Sequence, residues 1–300
     1  MASLIQTAVE LGLISSLTVL ALYLSYTMLN VCDLSTDGAF TLGAAVGAVV
    51  AIAGHPYLSI AAAIGAGIVS GFITALLQTK MGIDSLLAGI VVNTASYSIN
   101  IAIMGNTSLL NMNKTETVFT KSKAFLADTP LATYSKLFVI IIAVGLICIL
   151  LISFLKTKLG LAIRATGNNP DMVKSSSINT SVITIIGLCV SNSFTALSGC
   201  LLGQYNKSTN IDIGTGMLTI ALASLLIGRM FFRKGGVSLG VIGAIIGAIL
   251  FRIVYTFALR LNMPASMLKL ISSVIVIIAI AGPYFLKKAN ENGKRRKNHA

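Results

Sequence analysis

The chain has 300 residues, of which 55% are hydrophobic and only 10% charged, with a mean hydropathy of +0.90. Those values exclude a soluble domain of this length. Apolar runs of eighteen or more residues recur, and such runs read as membrane-spanning helices. They are continuous rather than alternating, which argues against a β-barrel. The net charge of +13 does not call for nucleic acid. The basic residues flank apolar segments as the positive-inside rule requires, so the partner is a lipid membrane.

The first apolar segment runs from about 4 to 29 and lacks the positive n-region of a signal peptide, so it is expected to stay. After it comes C-D-L-S-T-D-G-A-F-T-L-G from Cys32 to Gly43. Asp33, Ser35, Thr36 and Asp37 there have no Lys or Arg nearby. The stretch is either a simple loop or a helix broken inside the membrane, with Thr36 or Asp37 capping the second half. Irregular backbone at membrane depth needs burial in protein or a wet cavity. Segment two then extends to about 54, with Gly43 and Gly47 spaced for close helix packing.

His55 and Pro56 make a turn, and His55 reads as a loop residue. Segment three is 57 to 79, carrying Gly67 and Gly71 at the same spacing, and segment four is about 84 to 104. In segment four Asn93, Tyr97 and Asn100 follow an i, i+4, i+7 pattern, with Ser96 beside them. That stripe either lines a pathway or bonds between helices. Residues 105 to 135 form the longest polar connection and are assigned to the outer face.

Segment five, 136 to 155, leads into a polar, basic connection over 156 to 180. A short helix is predicted inside it: Asn169 as cap, Pro170 at the first helical position, Asp171 complementing the helix dipole. Segment six, 181 to 203, places Ser191, Thr195 and Ser198 on one face, next to Asn192. Segment seven, about 215 to 230, is short for a span. Segment eight, about 237 to 258, holds Arg252, read either as functional or as snorkelling. Segment nine, about 266 to 286, precedes a basic tail over 287 to 300.

The fold class is therefore all-α: a single polytopic bundle of about nine spans (eight to ten) over residues 1 to 300. Lys and Arg in the loops assigned to the inside outnumber those outside two to one, which puts the tail inside and the N-terminus outside. Cys32, Cys148, Cys189 and Cys200 form no C-x-x-C and read as small buried hydrophobes.

Enzymatic signatures are absent. The chain holds no G-x-x-x-x-G-K-[ST], no H-E-x-x-H and no G-x-S-x-G, and its only histidines are His55 and His299. No metal ligand set is expected. Few carboxylates fall within spans, so an ion-coupled transporter requires the 33 to 37 break to lie deep. A self-sufficient secondary transporter or channel is the alternative reading; no filter-like T-V-G-Y-G is present.

Ordered motifs carry a family resemblance. L-G-L-A-I-R-A-T-G-N-N-P-D-M-V-K-S-S-S-I-N-T (159 to 180), followed by S-N-S-F-T-A-L-S-G-C-L-L-G-Q-Y, resembles the coupling region of ABC importer permeases of the branched-chain amino acid and ribose type. D-L-S-T-D-G-A-F-T-L-G-A, I-D-S-L-L-A-G-I-V-V-N-T and M-L-K-L-I-S-S-V-I-V are similar to the same family. Within it the chain is most similar to the amino-acid branch that includes permeases for tryptophan or tyrosine. The resemblance implies a multi-pass permease of the inner or plasma membrane, not itself an enzyme. It implies a second permease copy in a homodimer, cytoplasmic P-loop ATPase subunits, and an external solute-binding protein. ATP and Mg would bind the ATPase, with no cofactor on this chain. The coupling role falls on Arg164, Thr166, Gly167, Asn168, Asn169, Pro170, Asp171, Met172, Val173 and Lys174, with Met172 and Val173 expected as an apolar tip. Pathway lining is expected from Asp33, Ser35, Thr36, Asp37, Asn93, Tyr97, Asn100 and Asn192.

Overall fold

A computed structural model describes residues 2–125, 134–231 and 236–260, together with positions 270, 273, 274, 277 and 281. Within them, helices follow the apolar runs closely. Helix α1 (Ala2–Leu22) continues as a π-helical turn, Tyr23–Met28. Then come α2 (Thr36–Ile52), α3 (Pro56–Thr79), α4 (Ser85–Ile103), α5 (Val118–Phe125) and α6 (Ser135–Lys156). Helices α7 (Lys158–Asn168), α8 (Pro170–Ser175), α9 (Thr180–Asn206), α10 (Met217–Phe231) and α11 (Val237–Arg260) complete the described order. Among the described residues, six helices are long and apolar enough to cross a membrane. Two more, α2 and α10, are apolar but have 17 and 15 residues. At ~1.5 Å per residue they reach less than the ~30 Å hydrocarbon core. Segment nine beyond those five positions and the basic tail lie outside the described residues, as do Arg233 and Lys234.

Helix α9 is the axis. Most of α9 and α1 is buried, whereas α4 and α6 leave most of their apolar residues uncovered. That contrast is what a bundle in lipid demands: polar and small residues turn inward, Leu and Ile face outward. Small residues make the central contacts. A Cβ on Gly43 would strike the backbone of Ala196, and one on Gly67 the backbone carbonyl of Asn192. Helices α2 and α3 therefore press directly on the same stretch of α9, around Asn192 and Ala196. The hydroxyl face of α9 meets α1: Ser191 Oγ donates to the Ala21 carbonyl at 2.8 Å and Ser198 Oγ to the Ile14 carbonyl at 2.7 Å.

The far end of α9 is tied to the 105–135 connection. Strand β1 (Leu109–Asn111) pairs antiparallel with β2 (Ser208–Asn210), Leu110 opposite Thr209. Gln204 Oε1 accepts from the Val118 amide at the start of α5, and Gln204 Nε2 donates to Ser59 Oγ on α3. The two polar connections thus share one end of the bundle, opposite α7 and α8. None of the four cysteines is paired, and Cys200 alone is fully enclosed.

Candidate functional site

The break after α1 lies halfway along the axis. Asn192 is the thirteenth of the 27 residues of α9. That leaves ~18 Å of helix on one side and ~21 Å on the other. From Tyr23 the helix widens into a π turn, and the Val31 amide still reaches back to the Ser25 carbonyl. Asn30 takes a left-handed backbone, φ 57°, and the chain runs irregularly to Ser35. Helix α1 runs antiparallel to α9, with Ile14 at Ser198 and Ala21 at Ser191, and α2 runs parallel to it, with Gly43 at Ala196 and Gly47 at Cys200. The chain thus turns back through this irregular stretch: it is a buried connection between two helices rather than two halves of one helix.

Asp33 organises the break and is 1% exposed. Its Oδ1 accepts from the Ser35 amide at 2.8 Å and from Ser35 Oγ at 2.6 Å, and its Oδ2 accepts from Asn192 Nδ2 at 2.7 Å. A carboxylate removed from water is costly unless charge-assisted hydrogen bonds replace its hydration, and here three do. Asp33 and Asn192 therefore hold the broken backbone against the centre of α9.

The expected cap of α2 is corrected. Ser35 occupies the cap position without a side-chain cap bond, and Thr36 Oγ1 donates to the Asp33 carbonyl at 2.9 Å. Asp37 caps a different helix. Its carboxylate accepts from the amides of Gly216 at 2.9 Å and Leu218 at 2.8 Å, in the first turn of α10. The positive ends of α2 and α10 thus share one carboxylate, which favours both. Gly214 packs against the Asp37 carbonyl, where a side chain has no room. Those partners are 179 and 181 positions away in sequence. The available hint was two glycines ahead of a span too short to cross alone.

The amide stripe of α4 divides. Asn100 Nδ2 lies 3.4 Å from the Gly38 carbonyl, its Oδ1 is buried without a partner, and Asn93 lines the groove in which Gly38 sits. Ser96 is buried with them, but Tyr97, one position further round the helix, is 50% exposed. The inward face therefore follows i, i+3, i+7, and α4 turns Tyr97 away from α2. Asp33, Ser35, Thr36, Asp37, Asn93, Asn100 and Asn192 gather around the first turn of α2; Tyr97 does not. No group of His, Cys, Asp or Glu that could hold a metal occurs among the described residues.

At the other end, α8 forms as its sequence dictates. Asn169 Oδ1 accepts from the Met172 amide at 3.0 Å, Pro170 opens the helix, and Asp171 lies in its first turn. Asn168, Asn169, Pro170, Asp171, Met172 and Lys174 are exposed, Arg164 and Gly167 are partly covered, and Thr166 is buried. The apolar tip expected of Met172 and Val173 is corrected: Met172 is 56% exposed, but Val173 is 2% exposed. On so short a helix adjacent positions point in different directions, so only one of the pair can face out. Thr157 caps α7 and Asn179 caps α9, so the whole elbow is built from side-chain caps.

Six spanning-length helices among the described residues, packed around α9 with an irregular buried stretch at its midpoint and a capped helical elbow at one end, define a polytopic membrane protein. The family described as branched-chain amino acid transport system / permease component matches residues 4–280. The chain belongs to that family of ABC transporter permeases. It is a transport subunit rather than an enzyme and a multi-pass protein of the inner membrane. It is 33% identical to a tyrosine transport system permease protein of Clostridioides difficile, over 96% of this chain and 92% of the relative. It is 30% identical to an uncharacterized protein of Rickettsia prowazekii, over 92% and 96% of the two chains. A guanosine ABC transporter permease protein of Bacillus subtilis is 28% identical over 78% and 72%. No solved structure gives a significant match.

Proposed function

We propose that this chain is the permease of an ATP-driven importer that carries an amino acid, aromatic in class, delivered by an external solute-binding protein. Two copies form the membrane unit with about nine spans each, and each grips one P-loop ATPase through α7 and α8. ATP and Mg bind the ATPase, so this chain needs no cofactor of its own. Asp33, Ser35, Thr36, Asp37, Asn93, Asn100 and Asn192 form the polar zone by which cargo passes, and Arg164 to Lys174 form the element that the ATPase moves.

The observation that carries this reading is the placement of α9. It starts at the capped α7–α8 elbow, passes the buried Asp33–Asn192 pair at its midpoint, and ends on the β1–β2 connection. One rigid rod joins an ATPase-facing element to the polar break and to the outer surface. The aromatic cargo rests on likeness to a permease named for tyrosine transport, a likeness that extends along nearly the whole chain. The break is deep enough to have suited an ion-coupled carrier, but every oxygen of Asp33 already has protein donors. That makes Asp33 a structural staple in this conformation.

The test is a pull-down of the tagged permease in mild detergent with every co-purifying chain identified by mass. A P-loop ATPase and a solute-binding protein in comparable amounts are expected. Thermal-shift screening of that binding protein against the common amino acids should then rank tyrosine, tryptophan or phenylalanine first. A permease that purifies alone as a stable oligomer would overturn the importer reading; a binding protein selective for a nucleoside would overturn only the cargo.

A further inference from the structure

The elbow and the polar break are joined by a contact at the end of the π turn. Gly167, near the end of α7, lies against the backbone of Met28 and Leu29 so closely that a Cβ there would strike the Met28 carbonyl oxygen and come 2.9 Å from the Leu29 carbonyl carbon. Leu29 is 3% exposed, and its side chain reaches across to α9, where a Cβ on Gly187 would sit 3.0 Å from Leu29 Cδ2. Leu29 is therefore seated between glycines of two different helices. The next residue is Asn30 with its left-handed backbone, and three positions further comes Asp33. Thr27 and Thr166 flank the seat, and the hydroxyl of each is buried without a hydrogen-bond partner. Buried polar atoms are ordinarily satisfied, so these two hydroxyls add no hydrogen bond to the joint and the contact shown there is the close backbone fit.

We infer that Leu29 is the positioning residue that passes movement of α7 to the irregular stretch between α1 and α2: Gly167 pushes on the Met28–Leu29 backbone, Gly187 holds the Leu29 side chain against α9, and Asn30 is the hinge beyond which Asp33 responds. This rests on the reading of α7–α8 as the ATPase-facing element. A backbone-on-backbone contact transmits displacement without slack, because there is no flexible side chain to absorb it. A left-handed residue placed immediately after the seat is where a change of direction is taken up. The geometry also explains why the helix leaves its ordinary winding just here. The Leu29 amide closes the π turn on the Leu24 carbonyl at 3.0 Å, and the turn leaves the Met28 carbonyl and the Leu29 carbonyl carbon at the surface that α7 touches.

Cys32 offers a native reporter, one residue from Asp33 and partly exposed. The permease with its ATPase, in nanodiscs, is labelled with N-ethylmaleimide with and without ATP, and peptide mass spectrometry separates Cys32 from the other cysteines. This readout needs no knowledge of the cargo. Wild type is expected to change its Cys32 labelling rate by about fivefold on adding ATP, within the usual range of coupling between sites. Gly187→Ala, whose added methyl meets the Leu29 side chain, should cut that response to under about twofold while the ATPase still co-purifies. Adding Leu29→Val withdraws the opposing methyl and should restore at least half of the response. Gly167→Ala should abolish the response outright. A purely structural role would lower yield without this loss and rescue.

Responses of wild-type size in both Gly167→Ala and Gly187→Ala, or failure of Leu29→Val to restore Gly187→Ala, would overturn the inference and leave the coupling reading standing. A wild-type complex whose Cys32 ignores ATP, or a Met172→Asp complex that still retains its ATPase, would overturn the coupling reading and the inference with it.

Discussion

Asn192 hydrogen-bonds Asp33 at 2.7 Å, joining residues 159 positions apart at the midpoint of the longest described helix. Replacing Asn192 by Leu would leave Asp33 Oδ2 buried and unpaired. A hydrogen bond to a charged group is worth about 1.5–3 kcal/mol, and the stranded carboxylate adds its own desolvation cost. Asn192→Leu should therefore lower the Tm of the detergent-purified permease by about 5 °C or more. Asn192→Asp should be worse, since it places two carboxylates in contact, and Asp33→Asn in the same chain should recover most of the loss. An Asn192→Asp protein as stable as wild type would mean the pair does not exist.

Asp37 makes a second prediction, because its partners lie on another helix. Asp37→Ala removes both acceptors from the first turn of α10 and should cost about 1–2 kcal/mol locally. Hydrogen exchange at the amides of 216 to 220 should speed up by about tenfold, with Asp37→Asn intermediate because it keeps one acceptor. Protection of α2 should change less. Equal loss of protection throughout the bundle would argue that Asp37 supports the fold generally rather than α10.

Packing on α9 gives a contrast within one helix. Gly67→Ala drives a methyl into the backbone carbonyl of Asn192, whereas a Cβ on Gly65 meets nothing within 4 Å. Overpacking typically costs about 1–3 kcal/mol, and more where backbone blocks relief. Gly67→Ala should reduce the yield of folded permease several-fold in a fluorescence size-exclusion assay, and Gly65→Ala should not. Equal behaviour of the two would show that α3 does not press on α9 as described.

Much of this was legible from residue order. Among the described residues, helix boundaries fall within a few residues of the expected segments because an apolar run is broken by the polar and glycine residues that also end a helix. The Asn169, Pro170, Asp171 start signal held because capping is a local matter of side chain and nearby amide. What stayed hidden depended on neighbours distant in sequence. Nothing near Asp37 announces that its carboxylate serves Gly216 and Leu218. Nothing in 105–135 announces that Leu109–Asn111 pairs with Ser208–Asn210. In α4 the choice between Ser96 and Tyr97 is one position, or about 100° of rotation, and pattern alone does not decide which side meets α2. Gly167 stood out only as part of a polar motif, and its use became visible when the π turn was placed against it.

The split between Met172 and Val173 gives the sharpest test of the elbow. A double replacement by Asp would confuse two effects, because Val173 is packed inside and Met172 is not. Met172→Asp alone puts a charge on an exposed position next to Asp171, so folding should be unaffected and Tm should hold within about 1 °C, as for ordinary surface changes. If α8 seats in an ATPase groove, that charge must be desolvated there, which is costly at the centre of an interface. Co-purification of the ATPase should then fall at least about tenfold, a change of about 1.4 kcal/mol in binding. Val173→Asp should instead lower Tm markedly, because the carboxylate would be buried with no donor arranged for it. A Val173→Asp permease with unchanged Tm would show that α8 does not pack inward at that position. Met172→Asp with full ATPase retention would show that the exposed face of α8 is not the gripping surface.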